Sequence, residues 1–162
     1  MTLHEEMRKY ALLIESVEYK NGIYCCVNLS QETKDALKSL CSAYDVPNPL
    51  KAGDLHCTLI YSTKVDDDFE CIEKYPKMLE ATFDGYDMFG DDKNTLVIKL
   101  NSPDLQKRHK ELMDKYDLNY SYDEYRPHIS LSYDAKGYDI NKLDKYSGAL
   151  LFVGEESTDL EV

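Results

Sequence analysis

From Gly22 onward the chain alternates between short apolar runs and longer stretches in which apolar residues recur every three or four positions. Residues 23–29, IYCCVNL, are β-branched, aromatic and small apolar types, and predict a strand. Ser30 follows where an N-cap belongs. The next stretch, QETKDALKSLCSAYDV, places Ala36, Leu37, Leu40, Cys41 and Tyr44 at helical spacing until Pro47 and Pro49 end the pattern. LHCTLIYS (55–62) predicts a second strand. The sequence of elements then restarts. TLVIKL (95–100) is strand-like, and Ser102-Pro103 is a cap followed by proline at the first helical position. LQKRHKELMDKYDL reads as a helix with Leu105, Leu112, Met113 and Tyr116 near one face, and PHISLSY (127–133) as a strand. MLEATFDGYDMF (78–89) and GALLFVGEEST (148–158) predict one further strand after each unit, with residues 63–77 as a connector. Before all this, Leu3, Met7, Tyr10, Ile14 and Val17 predict an amphipathic helix over residues 2–18.

The two units keep register. Ser30 to His56 and Ser102 to His128 are both 26 residues, and the whole offset is 72. That offset lays Tyr44-Asp45-Val46 on Tyr116-Asp117-Leu118, Thr58-Leu59 on Ser130-Leu131, and Tyr61 on Tyr133. The expected architecture is therefore α+β: a single domain over 1–162, internally duplicated into halves of approximately 22–89 and 95–158. Each half forms a lobe, and two antiparallel sheets face a central cleft with helices outside.

The repeated strands carry the candidate chemistry. Each has a histidine and a hydroxyl residue two positions apart: His56 with Thr58, and His128 with Ser130. Alternation along a strand turns the members of each pair to one face, roughly 7 Å apart. A lone histidine on a strand is more often structural than catalytic; two at equivalent positions of a repeat are not so easily set aside. Two imidazoles and two hydroxyls around one cleft suit a phosphodiester. One neutral imidazole can take a proton from the attacking oxygen and a protonated one can give a proton to the leaving oxygen. The hydroxyls can donate to the non-bridging oxygens. This scheme requires no metal and no cofactor. His4 and His109 fall outside the repeat, and His109, among charged residues, is expected at the surface, with an approach to the cleft beside Arg108 as the alternative.

Composition narrows the ligand. The formal net charge is −12, which disfavours long nucleic acid, whose binding rests on Lys and Arg. Fourteen tyrosines are many, and Tyr120, Tyr122 and Tyr125 precede His128, where aromatic faces could stack on bases. Arg126 could contact phosphate or hold the loop. Five cysteines without a C-x-x-C pair argue against a disulfide framework or a zinc knuckle. No apolar run approaches a membrane span, and the charges near the N-terminus interrupt any signal-peptide core. A cytoplasmic protein is expected, with nothing to specify its oligomeric state.

The paired H-x-[TS] strands and the repeated layout over residues 22–158 resemble the 2H phosphoesterase superfamily. Within it, GIYCCVNL, VPNPLKAGDLHCTLIYS, DLQKRHKELMDKYD and YDEYRPHISLSYD are similar to the phage anti-CBASS nucleases, which cut the cyclic oligonucleotide signals of bacterial antiphage defence. The resemblance implies a hydrolase acting on cyclic di- or trinucleotides, acting in the host cytoplasm if phage-encoded, with His56, Thr58, His128 and Ser130 catalytic. It implies ligand contacts at Tyr24, at Phe89 where the family can carry tryptophan, and at Glu155 or Glu156. Two alternatives stay open: an RNA 2′,3′-cyclic phosphodiesterase, and a sponge that binds cyclic nucleotides without cutting them.

Overall fold

The computed structural model describes residues 18–120 and 122–160. The helix expected over residues 2–18, and with it His4, lies outside them, apart from Glu18, which belongs to no element. Strand β1 (Ile23–Leu29) leads into helix α1 (Gln31–Ala43), and a 3₁₀ turn at Ala52–Asp54 leads into β2 (His56–Ser62). After the connector come the short β3 (Leu79–Glu80) and β4 (Thr82–Phe89). The strand–helix–strand order then recurs in β5 (Thr95–Asn101), α2 (Pro103–Lys115) and β6 (His128–Ser132), and β7 (Leu151–Thr158) closes the fold. Both serine caps form. Ser30 Oγ accepts the Thr33 N–H at 3.2 Å, and Ser102 Oγ accepts the Leu105 N–H at 3.1 Å. Each satisfies a backbone donor that the first helical turn leaves without a partner.

The two facing sheets expected from the repeat are instead one curled, seven-stranded antiparallel sheet, in the order β3-β7-β1-β2-β6-β5-β4. The reason is a single backbone seam. β2 and β6 lie side by side and pair at Cys57↔Ile129, so the ladder runs on from one half to the other. The closing strands also cross over: β4 pairs with β5, and β7 with β1. Each half therefore lends its last strand to the first strand of the other.

One face of the sheet is dry. Cys25, Val27, Cys57, Leu59, Ile98 and Ile129 pack there with Leu37 and Cys41 of α1 and Leu105 and Leu112 of α2. Burying each such Leu or Ile contributes about 1.5–3 kcal/mol. Cys25, Cys41 and Cys57 are small core residues here, and all five cysteines are free thiols. The other face, which no helix covers among the described residues, carries His56 and His128. Among the described residues no helix is long and apolar enough to cross a membrane.

Candidate active site

The seam sets the geometry of the site. Because Cys57 and Ile129 are partners and both point into the core, their neighbours in the strands point the other way. Antiparallel register then sets His56 across from Ser130, and Thr58 across from His128. Each imidazole is thus nearest in register to the hydroxyl of the other half. His56, Thr58, His128 and Ser130 are all partly exposed.

Both rings are held alike. His56 Nδ1 lies 2.8 Å from the carbonyl oxygen of Asp54, and His128 Nδ1 lies 3.0 Å from that of Arg126. A carbonyl only accepts, so in the neutral ring the proton sits on Nδ1. That leaves Nε2 with its lone pair available to a ligand, as a general base requires. The contact repeats at the residue two before each histidine, with extended Leu55 following the 3₁₀ turn in the first case and Pro127, whose ring fixes φ, in the second. Aromatic edges flank both rings: Tyr24 beside His56 at 6.2 Å between centroids, and Phe89 beside His128 at 4.8 Å.

Tyr24 also reaches Thr58, hydroxyl to hydroxyl, at 2.9 Å. Burial pushes the Tyr24 phenol up to about 12, so it keeps its proton near neutral pH. When that phenol donates to Thr58 Oγ, the threonine proton is left to donate to an anion. Two clefts open beside His128, of about 450 and 600 Å³. They share Phe89, Glu124, Arg126 and His128. Tyr120 and the exposed Tyr122 line the larger one. Arg126 is exposed and donates to Glu124 at 3.2 Å.

Three expectations change. Glu155 is not a ligand contact on the open face. It pairs with Val27 in the register, and its side chain is fully buried on the helix side. There Arg108 donates to both carboxylate oxygens, at 2.6 and 2.9 Å, and the Ile72 N–H and Tyr75 hydroxyl complete the set. Glu156, one residue on, is exposed and pairs with Cys26, which itself pairs with Thr58. It is the glutamate on the histidine face. Tyr125 is buried too, with its hydroxyl donating to the Thr58 carbonyl at 2.7 Å and its ring stacked on His109 at 4.3 Å. It supports the strand from behind, and reaches the smaller cleft only as a buried residue of its lining. His109, finally, is half-buried and not at the surface. Its Nδ1 meets the Leu59 carbonyl at 2.8 Å, and burial lowers its pKa. The signal was present: Leu105, Arg108, His109 and Leu112 share one helical face.

The Arg108–Glu155 pair gives a direct test of this correction. Arg108→Met leaves a carboxylate in the dry core without its cation, which costs about 3–5 kcal/mol in comparable pairs. Urea unfolding monitored by circular dichroism should show that loss. A change under about 1 kcal/mol would mean that Glu155 can turn to water and is not locked in the core.

Fold and site thus define an α+β protein with two imidazole–hydroxyl pairs on the open face of one sheet. Residues 21–162 match the family profile of the anti-CBASS protein Acb1, and the chain belongs to that family. A relative bearing that description in Escherichia phage RB16 is 33% identical over 124 residues, 75% of this chain and 68% of the relative. Another, in Enterobacteria phage T4, is 30% identical over 128 residues, 75% of this chain and 78% of the relative. A third, in Acinetobacter phage Ac42, is 26% identical over 141 residues, 87% and 92% of the two chains.

Proposed function

We propose that this chain is a metal-independent phosphodiesterase of the 2H type that linearises cyclic di- or trinucleotides, and so defeats the signal of a bacterial antiphage system. The observation that carries the reading is the matched pair of histidines, each with Nδ1 tied to a backbone carbonyl and each set across from a hydroxyl. Membership in a family described as anti-CBASS supports the substrate class. The residues assigned are His56 and His128 for proton transfer, and Thr58 and Ser130 for the non-bridging phosphate oxygens. Tyr24, Phe89, Arg126 and Glu156 contact the ligand.

In this mechanism one imidazole removes the proton of the ribose 2′-hydroxyl beside the scissile phosphate. That oxygen forms a bond to phosphorus, and the bond from phosphorus to the leaving ribose oxygen breaks. The second imidazole, protonated, gives its proton to that oxygen. The product is a linear nucleotide ending in a 2′,3′-cyclic phosphate, which water can then open by the reverse use of the two histidines.

Incubation with 3′,3′-cyclic GMP-AMP, beside an RNA ending in a 2′,3′-cyclic phosphate, tests the reading. The expected result is a linear dinucleotide from the first and little change in the second, since a chain of net charge −12 repels a long strand. Faster turnover of the RNA end would make this an RNA-processing member of the same chemistry. Tight binding of the cyclic dinucleotide without product would make it a sponge. Excess EDTA should leave cleavage unchanged, because the imidazoles and hydroxyls supply every proton transfer and anion contact in the scheme. Loss of activity restored by Mg²⁺ or Zn²⁺ would overturn that assignment.

A further inference from the structure

The two histidines differ in the residue that the outer neighbouring strand sets beside each of them. Across from each histidine, on the strand outside it, stands a residue that shares its face. Asn28 on β1 pairs with His56, and Lys99 on β5 pairs with His128. Directly opposed residues of an antiparallel pair project to the same side. An amide on one side is therefore matched by a cation on the other. Lys99 is the polar member of a strand whose neighbours Ile98 and Leu100 are buried in the core, so its side chain has no reason to turn inward.

Its surroundings point outward as well. Lys99 lines the 450 Å³ cleft with Asp84, Asp87, Phe89, Arg126 and His128. The stem passes over Gly85, close enough that a Cβ there would be in ordinary van der Waals contact with Lys99 Cε at 3.5 Å. Among the described residues Lys99 makes no ion pair and no side-chain hydrogen bond. The second cation of the cleft, Arg126, shares its charge with Glu124 in an exposed pair. The Met88 N–H donates to Asp87 at 2.8 Å but does not neutralise it. Without Lys99 this wall would offer an anion the carboxylates of Asp84 and Asp87 and a guanidinium whose charge is partly offset by Glu124. In a chain of net charge −12, an anionic ligand can enter such a cleft only if a local charge offsets it.

We infer that the cleft beside His128 is a second-phosphate subsite, in which Lys99 binds the phosphodiester of the ring that is not being cut. This rests on the phosphodiesterase reading and adds to it a requirement of the substrate: a second phosphate held on the β5 side of His128, with no counterpart on the β1 side, where Asn28 stands. Lys99 then acts on binding and not on the reacting phosphorus. Rings with two or more phosphates are favoured over nucleotides that carry one.

The test compares wild type, Lys99→Met and Lys99→Arg. Affinity is measured by calorimetry with a non-hydrolysable phosphorothioate analogue of 3′,3′-cyclic GMP-AMP, and kinetics with the natural ring. Loss of one hydrogen bond to a charged group predicts a weakening of about 10–100-fold in Kd and KM for Lys99→Met. The kcat should stay within about threefold, since no proton moves through Lys99, and Lys99→Arg should recover most of the affinity. An unchanged Kd for Lys99→Met overturns the subsite. So does a fall in kcat at constant KM, which would place the ammonium on the reacting phosphate. A wild type that binds the analogue yet cuts nothing would end the catalytic reading alone, and the Kd comparison would still decide Lys99. A wild type that neither binds nor cuts would end both.

Discussion

His56→Ala and His128→Ala should each lower turnover of a cyclic dinucleotide by about 10²–10⁴-fold. The basis is that each ring serves one proton. With Nδ1 committed to the carbonyl of Asp54 or Arg126, only Nε2 is left to exchange a proton with substrate. Removing either ring deletes the base or the acid, and the surviving partner cannot supply both roles in one step. The double mutant should consequently be little slower than the poorer single mutant, because the two act as a unit. Neither ring is in the core, so both variants should fold, and circular dichroism should match wild type. Full activity in either folded single mutant would sink the pair as catalysts. A product of the two losses in the double mutant would mean that the histidines act independently, as binding groups.

Local features made most of the fold legible. Alternation marks His56–Ser62 and His128–Ser132 as strands, and Ser30 and Ser102 announce helices within a few residues of themselves. The two histidines were visible because a repeat compares positions with each other, which no single motif can do. Pairing between distant strands is another matter. Nothing in the periodicity of β2 or β6 says that they lie side by side, and one contact, Cys57↔Ile129, turns two sheets into one. The order of Glu155 and Glu156 was equally unreadable. A strand of period two gives its two faces but not which is inward, and β7 carries a register shift opposite Asn28/Leu29. The charge of Glu155 argued for water, as did that of Arg108. Yet each is what allows the other to be buried, and charge read one residue at a time cannot show that. Lys99 was legible in principle, as the polar member of the alternation in TLVIKL. Its meaning needed the neighbour strand that sets it against His128.

The nucleophile gives the largest expected effect. If the 2′-hydroxyl of the ring attacks, the site has only to deprotonate a group that the substrate already holds beside the phosphorus. Such proximity can be worth about 7–11 kcal/mol in favourable cases. A cyclic dinucleotide with a free 2′-hydroxyl next to the cut phosphate should be linearised, while its 2′-deoxy analogue should bind in the same cleft and remain uncut. The two ligands differ by one oxygen, so phosphate contacts at Thr58, Ser130 and Lys99 are the same for both, and affinities within about tenfold are expected from the loss of one hydrogen bond. Mass spectrometry should detect a linear species ending in a 2′,3′-cyclic phosphate before the opened product accumulates. Exchange into H₂¹⁸O sharpens the distinction. Internal attack puts no ¹⁸O into the first linear product, because its new bond to phosphorus comes from the ribose, whereas direct attack by water labels that product at once. Cleavage of the deoxy analogue at a similar rate, with ¹⁸O in the first product, would leave the paired histidines as acid and base but make water the nucleophile.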